Sequence, residues 1–413
     1  MITQIIQRKF WQLQRIRWQN YGTIWLVRRG ILKILKLGIG LLLQPLAIIA
    51  HLLGVRKVNV AERHIGHLVC EPDCLLKMVE LNLLPKRLFL FTVSSKNVAN
   101  HCLLEYWRNH IIIVANPLLS YLLLASTEYG LIKIDVTDFV ATETTAARYY
   151  EVNSLWDNRQ PILSLTDLHQ DHGRKALRRL GMPPDAWYVC LHVREAGYSP
   201  EFENIHGYRN ADIENYRLAI NTIVSQGGWV VRMGDPTMKA MSGIPNFIDY
   251  AHSTEKADWM DVFLCAECRV FIGSTSGLFL ISTAFGIPCA LVNMAPFAAR
   301  AFGPNDIYIP KLLKDKKTSR YLRFSEIFES PIANFRSSQL FSNAGVEIEE
   351  NSPDDINDLV KEAMQRVKNQ WHPCAGDEER QKDFKKLFRP EHHGYKSRSN
   401  IGSSFLAKYE HLM

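Results

Sequence analysis

The sequence lacks the short motifs that identify the best-known nucleotide-binding loops. Neither GxxxxGK[ST] nor GxGxxG is present, which excludes a Walker A loop and the usual dinucleotide-binding turn. Cysteine is also sparse, with eight dispersed residues among 413, so a disulfide scaffold is excluded and a reduced, cytoplasm-facing protein is indicated. Cys265 and Cys268 form a CxxC pair, but no second pair or nearby histidine completes a zinc site. We expect both thiols to pack in the core.

Acidic residues are absent from the first 61 positions. This segment carries ten Lys or Arg residues, whereas the rest of the chain has 39 basic and 42 acidic residues, so the net charge of +7 comes from the N-terminus alone. A nucleic-acid-binding protein more often spreads a basic stripe over its folded core. The asymmetry therefore indicates contact with an anionic lipid surface, and no nucleic-acid partner is expected.

A hydrophobic run of full membrane-spanning length is also missing. Residues 37–53 carry no formal charge, but Gln44, Pro45 and His51 interrupt them, and a span takes about 20 apolar residues. Tryptophan and arginine mixed ahead of this run suit the headgroup region. We expect residues 1–55 to form membrane-contact helices at the cytoplasmic face of the cell membrane, either as a peripheral, monotopic or re-entrant attachment, which is favoured slightly, or as a single span. The alternative is a helical hairpin buried against the rest of the protein.

From residue 56 onward, short apolar runs alternate with helical patterns, which is typical of parallel sheets wrapped by helices. The predicted strands are 56–61, 87–93 and 111–114, and then 187–193, 229–233, 269–272 and 288–292. The sequence therefore predicts an α/β fold with two Rossmann-like doubly wound domains. Their predicted bounds are 56–150 and 187–370, with a crossover at 151–186 and a tail at 371–413.

Three strand ends in the second predicted domain are polar, and open α/β sheets bind ligands beyond the carboxyl ends of their strands. Arg194 follows one strand, and its planar guanidinium suits a pyrophosphate. Arg232 ends the next strand, and the alternative for it is a structural ion pair with Asp235 or Asp249. The third end is a small-residue turn, where backbone N–H groups and hydroxyls can approach an anion. This turn consists of Gly273, Ser274, Thr275, Ser276 and Gly277.

A second candidate site follows the first predicted strand of residues 56–61. Gly66 permits a close approach there, and His67 opens the next helix. A histidine at this place suits a general base that acts on a hydroxyl, because its pKa lies near working pH. Glu62 is the carboxylate alternative, and a structural or merely exposed histidine is the other interpretation of His67.

The order and spacing of these segments resemble a family of bacterial glycosyltransferases of the two-Rossmann-domain (GT-B) type. The matching segments are the loop 63–68, LHVRE at 191–195 with Tyr198, YRNADIENY at 208–216, GGWVVRMGD at 227–235, IDY at 248–250, MDVFLCAECRVFIGSTSG at 260–277 and IPK at 309–311. The match covers most of residues 56–345. More distantly, the HVR strand end is similar to the H-x-R signature of fucosyltransferases, although Glu195, Ala196 and Gly197 depart from the residues that follow it there.

The resemblance implies transfer of a sugar from a nucleotide-diphosphate donor to a hydroxyl of a glycan or glycolipid. It implies that Arg194 and the serine-threonine turn hold the diphosphate, that Asp249 and Tyr250 lie near the base or ribose, and that a loop with Arg209 covers the donor. The full set of implied donor-binding residues is Arg194, Tyr198, Arg209, Arg232, Asp249, Tyr250 and Gly273 to Gly277. No cofactor and no metal are expected, since protein cations replace a metal in such folds and no Asp-x-Asp motif is present. Inversion is the expected stereochemical outcome.

Two other functions are compatible with the same scaffold. A nucleotide-sugar epimerase would need acids on both sides of the sugar and would leave the N-terminal segment without a role. A non-catalytic glycan-assembly protein would keep the fold without turnover.

Overall fold

The computed structural model describes residues 27–58, 60–93, 98–128, 143–197 and 203–413. The helices are α1 (Val27–Leu42 as far as it is described), α2 (Gln44–Leu52), α3 (Ile65–Glu80), α4 (His101–Trp107), α5 (Pro117–Glu128), α6 (Glu143–Trp156), α7 (Asp167–Arg179), α8 (Glu203–His206), α9 (Arg217–Ser225), α10 (Asp258–Glu267), α11 (Phe279–Ala284), α12 (Phe324–Phe328), α13 (Ser338–Asn343), α14 (Pro353–Val367), α15 (Asp377–Lys386) and α16 (Ser403–Lys408). The strands are β1 (Val55–Val58), β2 (Leu88–Thr92), β3 (Ile112–Val114), β4 (Tyr188–His192), β5 (Trp229–Arg232), β6 (Phe247–Ile248), β7 (Phe271–Gly273), β8 (Cys289–Met294), β9 (Ile307–Pro310), β10 (Leu312–Asp315), β11 (Val346–Glu349) and β12 (Asn400–Ile401).

Contacts divide the chain into two compact units whose bounds differ from the predicted domains. The first unit comprises Met1–Asn59, Lys86–Lys96 and Ile111–Thr137, and the second comprises Val60–Pro85, Asn97–His110 and Asp138–Met413. Helices α3 and α4, which follow the first two strands in sequence, therefore belong to the second unit. So do the segments that were predicted as a crossover and a tail. The predicted domain boundaries follow changes in the sequence pattern, whereas the two units are defined by contacts between residues in the folded chain.

The first unit contains a parallel sheet of order β1-β2-β3. Val55 pairs with Leu88, and Leu90 pairs with Ile112, so each strand is reached by a crossover. All three strands coincide with predicted ones to within a few residues. Helices α1 and α2 of this unit meet at a bend of 54°, with Pro45 in the first turn of α2. Among the described residues no single helix is long and apolar enough to cross a membrane, whereas this bent pair together is, by length and composition.

The second unit contains a seven-stranded parallel sheet of order β12-β9-β8-β7-β4-β5-β6. From the middle of the sheet, β4, β5 and β6 follow one another toward one edge, and β7, β8 and β9 follow one another toward the other edge. The sheet is therefore doubly wound, and its switch point lies between β4 and β7. Every residue of β4 and β7 is buried. The segment predicted as a tail adds β12, which pairs parallel with β9 at the edge of the sheet. The predicted α/β class with parallel sheets is confirmed.

Helix α3 begins at Ile65, earlier than the predicted helix, and contains Pro72. A proline has no backbone N–H, so the carbonyl of Leu68 loses the partner that a regular helix would give it. The indole N–H of Trp107, which is fully buried, donates to this carbonyl oxygen at 2.9 Å. The helix therefore continues through the proline, and His67 lies in its first turn.

Candidate functional site

The switch point of the seven-stranded sheet brings two predicted segments together. His192 at the end of β4 pairs with Gly273 at the end of β7, so Arg194 and Ser274 emerge at the same carboxyl edge. The backbone N–H of Arg194 donates to the Ser274 hydroxyl oxygen at 3.0 Å. A crevice at this point is where parallel α/β sheets bind their ligands.

The turn after β7 is held by hydrogen bonds that leave one hydroxyl unused. Ser274 is fully buried and accepts from Arg194, while the Thr275 hydroxyl oxygen accepts from the N–H of Ala295 at 3.0 Å. The Ser276 hydroxyl is buried and has no hydrogen-bond partner within the described residues. Buried polar atoms in proteins are nearly always paired, so this hydroxyl is available to a ligand oxygen.

Arg194 and Arg209 carry charges that the described protein groups do not neutralise. Within the described ranges neither guanidinium forms a salt bridge, and the Nε atom of each is buried without a hydrogen-bond partner. The N–H of Ala211 donates to the carbonyl of Arg194 at 2.9 Å, which ties the loop that carries Arg209 to the end of β4. Burial lowers the pKa of Arg209, and the nearby charge of Arg194 lowers it further. Partly buried like charges that form no ion pair are stabilised by an anion bound beside them.

The loop that carries Arg209 is anchored by a buried lysine. Lys311 Nζ donates to the carbonyl of Asn210 at 2.5 Å, and burial lowers the pKa of Lys311 to about 8. The backbone N–H of Tyr208 donates to the Ser338 hydroxyl at 3.0 Å. Hydrogen bonds to the residues before and after Arg209 therefore hold its backbone in place.

His192, the last residue of β4, lies close to the positive charges at this edge. Burial, followed by the charge of Arg194, lowers the pKa of His192 to about 4. The imidazole is consequently neutral at pH 7 and adds no positive charge beside Arg194.

His67 lies beside the turn after β7. A Cβ atom on Gly66 would be 3.0 Å from the Gly277 Cα, so the two backbones are in direct contact. His67 Nδ1 lies 2.9 Å from Glu71 Oε1, and the other Glu71 oxygen accepts from the N–H of Ala61 at 3.1 Å. With its proton on Nδ1, this partly exposed imidazole keeps a free lone pair on Nε2. The arrangement is that of a general base oriented by a carboxylate.

Glu62, the alternative base, is only 9% exposed and so less accessible than His67. Tyr198, predicted to contact the donor, lies outside the described residues.

Arg232, which was predicted to bind the donor, is paired with acidic residues of the protein. Its side chain is fully buried, with Nη2 2.7 Å from Glu195 Oε1 and Nη1 3.3 Å from both Asp249 carboxylate oxygens. The structural ion pair with Asp249, considered above as the alternative, is therefore what the structure contains. Asp249 also accepts from the N–H of Met241 at 2.9 Å. Tyr250 is fully buried as well, and burial raises the pKa of its phenol. Arg232 and Tyr250 are fully buried and Asp249 is paired with Arg232, so structural contacts account for all three side chains.

A cavity of about 520 Å³ opens at the same carboxyl edge, on the β5 side. Glu195, Asn210, Met238 and Lys239 are among its lining residues. The Asn210 Oδ1 atom is buried and unpartnered within the described residues. Ligand sites of proteins have volumes in this range.

Two residues of this region were missed by sequence reasoning. Glu71 follows His67 at the i,i+4 spacing of a helix, a signal that was available once His67 was expected to open the helix. Arg336 comes from a distant segment with no recognisable pattern. In the described part of the chain, no group of three or more His, Cys, Asp or Glu residues could hold a metal ion. Cys265 and Cys268 are buried in the core, as predicted.

Comparison with known proteins gives distant structural similarities. No protein-family model and no curated protein matches the chain. The family 9 glycosyl transferase from Veillonella parvula DSM 2008 is 11% identical, with a TM-score of 0.39 over 62% of this chain and 85% of that one. The dodecameric iron-containing heptosyltransferase TibC in complex with ADP-D-β-D-heptose is 14% identical, with a TM-score of 0.38 over 76% of each chain. The E. coli heptosyltransferase WaaC with ADP-2-deoxy-2-fluoro heptose is 12% identical, with a TM-score of 0.32 over 62% of this chain and 92% of that one.

Proposed function

We propose that this protein is a glycosyltransferase that transfers a sugar from a nucleotide-diphosphate donor to a hydroxyl acceptor. The observation that carries the proposal is the unneutralised Arg194 beside the turn of Ser274 and Ser276, at the switch point of the sheet. A guanidinium, a free hydroxyl and the backbone N–H groups of a turn together match the oxygens of a diphosphate.

The chemistry of the proposed reaction assigns a role to each side chain. The acceptor oxygen attacks the anomeric carbon, the bond from that carbon to the donor phosphate oxygen breaks, and its electron pair leaves on the diphosphate. Arg194 and the turn stabilise this developing charge. The acceptor proton passes to His67 Nε2, while Glu71 stabilises the imidazolium that results. A single displacement of this kind inverts the anomeric centre, and protein cations do the work that a metal does elsewhere.

The nucleoside of the donor is assigned to the 520 Å³ cavity beside Arg194. This replaces the expectation that Asp249 and Tyr250 contact the base or ribose, because Asp249 is paired with Arg232 and Tyr250 is fully buried. The unpartnered Asn210 Oδ1 would accept a hydrogen bond from a base or ribose donor there.

The acceptor is proposed to be membrane-bound, because helices α1 and α2 carry exposed apolar side chains. They are Val27, Ile31, Leu32, Ile34, Leu35, Leu37, Leu41, Leu42, Leu46, Ile49 and Leu52. Among the described residues, Arg28, Arg29, Lys33 and Lys36 accompany them, with no acid in the segment. This combination fits the cytoplasmic leaflet, and it does not fit the buried hairpin considered as the alternative. A lipid-linked or surface glycan follows as the acceptor class.

A donor panel separates this function from its rivals. Purified protein is incubated with radiolabelled ADP-, UDP-, GDP- and CMP-sugars in the presence and absence of membrane lipid extract. A glycosyltransferase releases nucleotide and labels the lipid fraction with one diphosphate donor, whereas CMP-sugars, which carry a single phosphate, are not used. An epimerised sugar without acceptor would select the epimerase, and tight donor binding without turnover would select the non-catalytic protein.

A further inference from the structure

The segment that carries Arg336 is packed against the segment that carries Arg209, although the two are distant in sequence. The N–H of Tyr208 donates to the Ser338 hydroxyl at 3.0 Å. The ring of Phe341 lies 5.7 Å from the ring of Tyr208 and 5.4 Å from that of Phe335, centroid to centroid. The residues that flank Arg209 and Arg336 in sequence are thus packed against one another.

The charges around this point are predominantly positive. Burial lowers the pKa of Arg209, and the charges of Arg194 and Arg336 both add to that effect. His206 lies in the same field, since burial and then Arg209 and Arg194 lower its pKa. The negative charge of Glu203 raises the pKa of Arg209 in part, and the Glu203 carboxylate accepts a hydrogen bond from the Asn210 amide. Within the described residues none of the three arginines forms a salt bridge.

Three arginines contribute positive charge here, of which the proposed function assigns only Arg194 to the diphosphate. Arg194 and the turn after β7 occupy the switch point, where the diphosphate is proposed to bind. Arg209 and Arg336 belong to segments 203–211 and 335–338, which are distant from that turn in sequence and are packed against each other. Like charges that form no salt bridge raise the energy of the empty protein, and a bound anion removes that repulsion.

We propose that Arg209 and Arg336 form a second anion subsite, which takes a carboxylate or phosphate group carried by the acceptor or by the transferred sugar. The identity of those substrates rests on the proposed function, whereas the subsite itself rests on the arginines. Arg336 is then a specificity-determining residue, since a neutral substrate leaves its charge unmatched.

The subsite is tested by calorimetric titration with inorganic phosphate at constant ionic strength. The protein is first saturated with whichever of ADP, UDP or GDP binds it. Phosphate then binds with one additional site in the wild type, and Arg336→Gln weakens this binding at least tenfold while the nucleotide affinity changes less than threefold. Arg209→Gln weakens phosphate binding as well. The matched control is Arg178→Gln, an exposed arginine of α7, which leaves both affinities unchanged.

Two outcomes would overturn the subsite. One is phosphate binding that is unchanged in Arg336→Gln, and the other is phosphate that only displaces the nucleotide from a single shared site. Failure of the proposed function looks different: no nucleotide binds, yet phosphate still binds the wild type and not the Arg336→Gln variant. Circular dichroism and thermal unfolding verify that each variant is folded.

Inhibition kinetics identify the source of the anionic group. Inorganic phosphate that competes with the acceptor and not with the donor assigns the group to the acceptor. A selective loss of turnover by Arg336→Gln with UDP-glucuronate, and not with UDP-glucose, assigns it to the sugar. An equal effect of Arg336→Gln on neutral and anionic substrates of both kinds would refute a specificity role.

Discussion

Gly66 and Gly277 lie backbone against backbone, and this contact places the first turn of α3 beside the turn after β7. A Cβ atom on Gly277 would be 2.7 Å from the Gly66 nitrogen and 3.0 Å from its Cα. Both neighbours are backbone atoms, which cannot turn away as a side chain does. The contact joins His67 to the proposed phosphate-binding turn with no room for a side chain on either side.

Replacing Gly277 by alanine tests this contact. The added methyl group forces the two backbones apart, which we expect to destabilise the fold by about 1–3 kcal/mol and to lower turnover roughly 10²-fold through misplacement of His67. Gly30→Ala is the control, because nothing lies within 4 Å of the new Cβ and the residue is helical. Stability is measured by chemical denaturation and turnover by the donor panel. Wild-type turnover in Gly277→Ala would show that the contact does not position the site.

His67 is expected to act on the acceptor and not on the donor. His67→Gln should lower kcat by roughly 10²- to 10⁴-fold and leave the dissociation constant of the nucleoside diphosphate unchanged. Glu71→Gln should have a smaller effect, because the amide keeps one oxygen that can still accept from His67 or Ala61. His172→Gln, an exposed histidine of α7, serves as the control. A loss of donor affinity with unchanged kcat would place His67 on the donor side.

Arg232 is expected to matter for stability and not for ligand binding. Its removal leaves Glu195 and Asp249 without their buried partner, at a cost of about 3–5 kcal/mol. Arg232→Gln should therefore unfold at much lower urea concentration, while the folded fraction keeps its nucleotide affinity. Weak nucleotide binding with normal stability would restore Arg232 to the donor site as originally predicted.

The α1–α2 pair is expected to bind anionic vesicles. Ile34→Ser, Leu42→Ser and Leu46→Ser together remove three exposed apolar side chains, each worth about 2 kcal/mol when buried. The triple variant should no longer float with vesicles of phosphatidylcholine and phosphatidylserine. Leu168→Ser is the matched control, since this leucine is 80% exposed but belongs to the second unit. Flotation of the triple variant at the wild-type level would remove these helices from membrane binding.

The parts of the site that are local in sequence were predictable. Strands β4 and β7 are short buried runs followed at once by Arg194 and by the Gly-Ser turn, and parallel strands bring such ends to one edge. A helix opening near His67 was expected as well, but its continuation through Pro72 was not predictable, because a proline removes a backbone hydrogen bond from a helix. Only the fold reveals that Trp107 satisfies the carbonyl which the proline leaves open.

Pairing between distant residues could not be predicted either. The sequence left Arg232 with two alternatives, and the structure selects Asp249 and adds Glu195 as a further partner. The segment of Arg336 is brought beside that of Arg209 by contacts between residues about 130 positions apart, such as the hydrogen bond from Tyr208 to Ser338. The unit boundaries depend on the same long-range packing.

The affinity of the Arg194→Ala variant for the nucleoside diphosphate is the measurement that tests the account most directly. Losing the unneutralised guanidinium should cost about 2–4 kcal/mol of binding, which corresponds to a dissociation constant roughly 30- to 700-fold higher. The thermal unfolding temperature should stay at the wild-type value, because Arg194 has no salt bridge within the described residues. A dissociation constant equal to that of the wild type, in a folded variant, would contradict the proposed diphosphate site.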